Sequence, residues 1–214
     1  EISRFYGYVA DGIFQNQTEV NAHTDEYGTV IQPNAQPGDI RFKDLNHDGK
    51  LDDNDKTFIG NAFPDLMVGI NARLAWKNID FAANFYGTIG NDVYNTTKGR
   101  YSGVSGENVY AGTYNASWHG EGTSYDLPRL SYNDANQNWT RVSSFYVEDG
   151  SYLRCKQLQI GYTLPKKWTK KISLRLSFSA QNPFTITGYS GMDPEAAALG
   201  TEGKVTESGI DWAG

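Results

Sequence analysis

Residues 151–187 read SYLRCKQLQIGYTLPKKWTKKISLRLSFSAQNPFTIT, and the second half of that run decides the fold. Ile172, Leu174, Leu176, Phe178, Ala180, Phe184 and Ile186 fall on one side of a period of two. Ser173, Arg175, Ser177, Ser179, Gln181, Thr185 and Thr187 fall on the other. Such alternation marks a β-strand with two chemically different faces. The link Pro165-Lys166-Lys167-Trp168-Thr169-Lys170-Lys171 is short, basic and anchored by one Trp, so 151–187 reads as a hairpin. What its apolar face touches, a protein core or lipid, is the question the flanking sequence must answer.

A second hairpin lies upstream. Leu66, Val68, Ile70, Ala72, Leu74 and Trp76 alternate with Met67, Gly69, Asn71, Arg73, Ala75 and Lys77. The chain turns at Lys77-Asn78 and returns with Ile79, Phe81, Ala83, Phe85, Gly87 and Ile89 on one face, opposite Asp80, Ala82, Asn84, Tyr86, Thr88 and Gly90. Residues 2–14 are β-prone and rich in Tyr and Phe, with mixed alternation, and read as a further strand. Between these runs lie long polar stretches, 15–64, 91–148 and 188–214, the last without a closing strand. A short strand is expected at 39–43.

Composition narrows the class. The 214 residues are 14% aromatic, with Tyr the commonest aromatic, and Gly, Asn, Asp and Thr are abundant, which fits β-strands joined by polar loops. A formal charge of −6 argues against a nucleic-acid surface, and the four lysines at 166–171 are too few to reverse that. The single cysteine, Cys155, excludes an internal disulfide framework and has no partner His in sequence, so it reads as a strand residue. No apolar run is long enough for a membrane-spanning helix, which leaves a membrane barrel open, because barrel strands are only half apolar. The chain begins at Glu1 without Met or signal peptide and reads as an internal piece of something longer.

Five strands then run alternately, with the long stretches at one end and the short turns at the other. Outer-membrane barrels have this asymmetry. The arms 66–76, 79–89 and 172–186 reach the roughly 9–11 residues needed to cross a bilayer at a tilt near 45°. Trp76, Tyr162 and Trp168 stand beside the short turns, where an aromatic girdle would lie. A soluble β-sandwich also has one apolar face per strand, but loops of about 50 residues are unusual in a compact soluble domain. Arg73 and Arg175 sit mid-strand on the polar face; in a barrel they would point into a wet lumen, whereas on the lipid face each would cost about 2–4 kcal/mol.

The sharpest local motif is DLNHDGKLDDND at 44–55. Asp44, Asn46, Asp48, Lys50, Asp52 and Asp55 match a calcium-loop spacing, with Gly49 for the sharp turn, Leu51 as the aliphatic position and Lys50 offering only its carbonyl. Asp55 stands where Glu is usual, and Pro37-Gly38 and Gly60 rule out flanking helices. A structural Ca²⁺ is expected here; the competing reading is an Asp/Asn-rich turn that caps itself. His23, His47 and His119 have no metal spacing, Glu148 and Asp149 precede the turn residue Gly150, and no nucleophile elbow, P-loop or dinucleotide fingerprint occurs. The Tyr and Trp residues of 91–148 could stack on sugar rings, though packing within the loops is the commoner fate.

Several runs carry a family resemblance: GDIRFKDLNHDGKLDDNDKT from Gly38 with Ile59-Gly-Asn, Phe85-Tyr-Gly-Thr-Ile-Gly-Asn, and Val147-Glu-Asp-Gly-Ser-Tyr-Leu-Arg. Leu158-Gln-Ile-Gly-Tyr-Thr-Leu-Pro, Ala180-Gln-Asn-Pro-Phe-Thr-Ile-Thr-Gly-Tyr-Ser-Gly and Asp193-Pro-Glu continue it. In this order they resemble, over nearly the whole chain, the C-terminal part of SusC/RagA-family TonB-linked outer-membrane proteins. The resemblance implies about five strands of a 22-stranded transmembrane β-barrel with an N-terminal plug and long extracellular loops, in the outer membrane of a Gram-negative bacterium. Residues 1–214 would be an incomplete C-terminal sector, without plug or final strand, and 38–60 an extracellular calcium-loop-like insertion.

It also implies partners: the remainder of the same barrel, a SusD-like lid lipoprotein, TonB through an absent N-terminal region, outer-membrane lipid, and a glycan or peptide to import. Asn71, Arg73, Asn84, Tyr86, Gln157, Gln159, Arg175 and Gln181 would line the wet interior, and no catalytic residue is expected. The alternative is a soluble calcium-dependent carbohydrate-binding β-sandwich module. A glycosidase would need two carboxyl groups about 5–10 Å apart, which sequence alone does not place.

Overall fold

A computed structural model of the chain describes residues 4–100, 108–109, 111–170, 172–195 and 209–211, with Arg100 described by its backbone only. The expected strand start at Ile2, Lys171 of the basic link, and residues 196–208 and 212–214 of the last polar stretch lie outside the described residues. In chain order the elements are β1 (Arg4–Tyr8), β2 (Ala10–Ile13), α1 (Gln17–Ala22), β3 (Ile40–Phe42), β4 (Lys56–Asn61), β5 (Leu66–Trp76), β6 (Ile79–Ile89) and β7 (Asp92–Asn95). There follow α2 (Thr97–Arg100), α3 (Ala111–Ala116), β8 (Val147–Asp149), β9 (Tyr152–Thr163), α4 (Lys166–Thr169), β10 (Arg175–Thr187) and β11 (Ile210–Asp211). The chain divides into two units, 1–62 with 93–148 and 191–214, and 63–92 with 149–190.

The second unit is one antiparallel sheet in the order β10-β9-β6-β5. Both hairpins read from the alternation are present: β5 and β6 pair without a break from Leu66 opposite Ile89 to Trp76 opposite Ile79, and β9 and β10 pair from Arg175 opposite Thr163 to Thr187 opposite Tyr152 with one interruption between Gln181 and Phe184. Lys77 takes a left-handed conformation (φ 53°) to close the two-residue turn without glycine. The basic link closes through the single helical turn α4. The four ends at which the chain enters or leaves the sheet, near Leu66, Ile89, Tyr152 and Thr187, are mutually paired and lie at one end. The two short connections close the other. At about 3.4 Å per residue, 11 to 13 residues give strands of about 37–44 Å, enough to cross the roughly 25 Å apolar band of a barrel at a tilt near 45°.

Strand β9 departs from simple alternation. Asn84 pairs with Gln157 but Phe85 pairs with Cys155, so Lys156 is an extra residue on β9, and β10 shows a matching irregularity between Gln181 and Phe184. This bulge reverses the phase of β9. Cys155, fully buried, therefore lies in register between Phe85 and Phe184, whose rings stand 6.3 Å apart.

The first unit holds what the sequence presents as polar loops. Within the expected strand at 2–14, Arg4–Tyr8 and Ala10–Ile13 do form strands, but they join this unit rather than the four-stranded sheet: β1 pairs with β4, and β2 with β3. Their burial does not follow a period of two, since Tyr8, Ile13 and Phe14 are all buried. The expected strand at 39–43 is β3. Tyr8, Ile40 and Phe42 form one small core, with Ala10, Leu51 and Phe145 against it, and Phe14, Val20 and Ala35 form another. A third sheet runs β11-β7-β8.

Buried polar side chains knit the loops together. The carboxylate of Asp39, fully buried, accepts from the Arg129 guanidinium, from Asn138 Nδ2 (2.8 Å) and from the Gln36 amide (2.8 Å). Along β3, Asn138 Oδ1 accepts from the Ile40 amide and Gln32 Oε1 from the Phe42 amide, while Gln32 and Asn136 donate to the Ile40 carbonyl. Side-chain amides thus complete a strand edge that would otherwise leave buried backbone groups unpaired.

Candidate functional site

The four-stranded sheet has two faces of opposite character. Following the register, one face carries Leu66, Val68, Ile70, Leu74 and Trp76 from β5, and Ile79, Phe81, Phe85 and Ile89 from β6. It continues with Leu153, Leu158, Ile160 and Tyr162 from β9, and Leu176, Phe178, Phe184 and Ile186 from β10. Much of it is bare: Leu176 is 60% exposed, Phe178 67% and Leu74 69%. An isolated exposed leucine needs no explanation, but a contiguous apolar sheet face marks an interaction surface. No helix among the described residues is long and apolar enough to cross a membrane.

The opposite face is polar and is organised in rows across the strands. At its centre Asn71, Asn84, Gln157 and Gln181 stand in register on β5, β6, β9 and β10, with Asn84 Nδ2 donating to Gln157 Oε1 at 3.3 Å. The next row is Arg73, Ala82, Gln159 and Ser179. On the other side of the amide row, Gly69, Tyr86, Arg154 and Thr185 are aligned, and Arg154 Nε donates to Thr185 Oγ1 at 2.8 Å. Tyr86 packs against Tyr152 with centroids 6.3 Å apart.

All eight residues assigned from sequence to a wet interior, Asn71, Arg73, Asn84, Tyr86, Gln157, Gln159, Arg175 and Gln181, fall on this polar face. The sequence reading missed Asp80, Tyr152, Arg154 and Lys156. Asp80 bridges to Arg175, with Nε to Oδ1 at 3.1 Å, reaching over Gly161 on the intervening strand. Arg154 and Tyr152 were hidden by the bulge, because counting back by twos from Gln157 passes through Cys155 and Leu153. The cue available in sequence was the apolar pair Leu153 and Cys155 out of phase with Leu158 and Ile160.

In the other unit the acidic loop is tightly self-bonded. Asp44 accepts from the His47 and Gly49 amides (2.7 and 2.8 Å), Asn46 Oδ1 from Asp48 N (3.1 Å), and Asp48 Oδ1 from Lys50 N (2.9 Å). Asp52 caps Asn54 N, and Asp55, fully buried, accepts from the Leu45 and Asp52 amides, both at 2.8 Å. Gly49 turns the loop at φ 80°. Among the described residues no group of three His, Cys, Asp or Glu side chains is gathered as metal ligands would be.

This unit also contains cavities. One of about 410 Å³ is lined by Gln32, Asn34, Lys50, Asn136 and Arg141, and one of about 720 Å³ by Asp11, His23, Asp25, Asp44 and His47. His23 Nε2 donates to the Phe42 carbonyl at 3.1 Å, and burial holds the ring below the usual histidine pKa. Tyr94, its ring tilted against that of Tyr146 with centroids 5.3 Å apart, is pushed up to about 12 by burial.

Comparison with known proteins bears on both units at once. No family model matches the chain. The chain is 35% identical over 198 residues to the TonB-dependent receptor P3 of Formosa agariphila, covering 91% of this chain and 19% of that receptor. It is 26% identical over 206 residues to the TonB-dependent receptor SusC of Bacteroides thetaiotaomicron, covering 90% and 20%. Among solved structures it resembles the RagAB peptide importer in its "open-open" state, with a TM-score of 0.65 at 20% identity over 97% of this chain and 20% of that one. The chain thus spans about a fifth of the length of the curated relatives it matches.

Proposed function

We propose, from the premise that the chain belongs to the SusC/RagA type of TonB-dependent receptor as one stretch of its transmembrane β-barrel, that it forms part of the wall of an outer-membrane importer. The observation that supports this most is the two-faced sheet. Four strands of membrane-crossing length carry a bare apolar face, and behind it stands a row of four amides. A chain of this kind works in transport, not in catalysis. The apolar face meets the hydrocarbon of a Gram-negative outer membrane, and the rest of the barrel continues from β5 and β10. The amide row and the arginines beside it face the aqueous path. Side-chain amides and hydroxyls offer donors and acceptors to a cargo that is itself rich in them, an oligosaccharide or a peptide. The folded loops, including 38–60, stand outside the cell, where a SusD-like lipoprotein covers the mouth, and TonB supplies energy through another part of the receptor.

The test is uptake by cells carrying the whole receptor. Labelled oligosaccharides and oligopeptides too large for porins should enter only when the receptor, its lipoprotein and TonB are all present. Uptake that survives loss of TonB contradicts the reading.

A structural calcium ion in the loop at 44–55 is the second part of the proposal. Its support is the ligand spacing together with the left-handed turn at Gly49. The self-bonded turn is the rival account, and it needs no ion.

A further inference from the structure

The two short connections of the sheet lie side by side. The Asn78 carbonyl accepts from the Thr163 amide at 2.8 Å, and Ile79 pairs with Tyr162, so the turn at 77–78 and the link between β9 and β10 share one end of the sheet. That end carries Lys77, Lys166, Lys167 and Lys170, all exposed. Among the described residues none of them meets a carboxylate. Lys77 instead stands over the Trp76 ring, 4.5 Å from its centroid. The chain has no Asp or Glu at all from 150 through 192, and Asp80 is already bridged to Arg175. The four-stranded unit holds nine Lys and Arg against four Asp, inside a chain whose formal charge is −6.

The apolar face reaches this same end. Ile172 and Leu174 are exposed, and the face finishes in two bare indoles, Trp76 at 67% and Trp168 at 68%. An indole has an apolar body and a polar N–H, which suits the boundary between hydrocarbon and headgroups. A lysine beyond it can lay its stem along the apolar surface and put its ammonium at the level of the phosphates. Hydrocarbon-facing residues, then tryptophans, then uncompensated ammonium groups follow the order of layers met when leaving a bilayer.

We propose that this end of the sheet is a binding surface for the headgroups of anionic phospholipids, with Lys77, Lys166, Lys167 and Lys170 contacting lipid phosphate and Trp76 and Trp168 fixing its depth. The proposal rests on the lipid-facing reading of the apolar face. It commits to an anionic lipid because four cations without counter-charge are complementary to a negatively charged surface, and each ammonium adds to that attraction within a Debye length of about 8 Å.

The experiment places the whole receptor that carries this chain in nanodiscs of phosphatidylcholine mixed with phosphatidylglycerol, and counts retained lipids by native mass spectrometry. Wild type and a K77R/K166R/K167R/K170R variant should retain phosphatidylglycerol preferentially, and added salt should erode the preference. K77Q/K166Q/K167Q/K170Q should lose it by about tenfold or more. An equal preference in the Gln variant, or none in wild type, overturns the proposal. Should the quadruple Gln variant fail to fold, K166Q/K167Q and the salt dependence of wild type decide it, a salt-independent preference overturning it. Heat-modifiable gel mobility of the same wild-type sample separates the two readings: an unassembled barrel strikes the lipid-facing premise, whereas an assembled barrel without lipid preference strikes only this surface.

Discussion

Single residues on the sheet distinguish rigid from yielding neighbours. A methyl group at Gly87 would fall against the Tyr152 carbonyl oxygen and the Leu153 backbone, whereas one at Gly161 would meet only the ends of the Arg175 and Asp80 side chains. Gly87→Ala should therefore destabilise the assembled barrel by about 1–3 kcal/mol through overpacking. Gly161→Ala should dislodge only an exposed, solvent-screened ion pair and leave stability nearly unchanged. Urea midpoints of the folded receptor, read from heat-modifiable mobility, check the contrast. In the loop unit, Asp39→Ala leaves Arg129 and Asn138 without their buried acceptor and should cost about 3 kcal/mol. The cost should appear as faster hydrogen exchange along residues 36–42 while the sheet stays protected.

His23 provides a pH signature. Because burial lowers its pKa in the folded loop, the unfolded state binds more protons below about pH 6.5. Stability of the loop unit should be full above that value and fall as the pH drops toward the folded pKa. Exchange rates around His23 measured at pH 7.5 and pH 5 should differ in that direction, and His23→Gln should flatten the difference.

At the scale of the element, the hairpin of β9 and β10 is defined by its faces. Leu176→Arg puts a guanidinium on the face proposed to meet lipid and should block barrel assembly, at about 2–4 kcal/mol. Arg175→Leu removes a polar-face charge and an exposed bridge and should leave assembly intact. Equal heat-modifiable mobility of the two variants would contradict the assignment. The acidic loop has its own measurement: with calcium bound, EDTA should lower the Tm of the receptor and added Ca²⁺ restore it, and a Tm indifferent to both leaves the self-capped turn. Strands β5, β6 and β10 were legible because a strict period of two is the direct imprint of a sheet with one apolar and one polar face. Strand β9 was legible only in part, since one extra residue at Lys156 reverses its phase and no composition rule marks a bulge.

At the scale of the molecule, the chain divides its chemistry between two kinds of order. The sheet is held by backbone ladders between strands that each carry one apolar and one polar face, and alternation reports that in sequence. The loop unit is held by Asp39, Asn136, Asn138 and Gln32 bonding across about 100 residues of chain. Nothing periodic announces such long-range side-chain bonds, so 15–64 and 91–148 read as loops although they enclose small cores around Phe14 and Phe42. The same mixed burial drew residues 4–13 into that unit and left four strands in the sheet. The central claim is that one face of this sheet meets lipid and the other water. It is tested most directly by spin labels placed singly at 174, 175, 176, 177 and 178 in the whole receptor in lipid, with Cys155 replaced by Ser. Collision with oxygen should peak at 174, 176 and 178, and collision with a water-soluble nickel complex at 175 and 177. Uniform accessibility to the nickel complex along the strand would contradict a lipid-facing sheet.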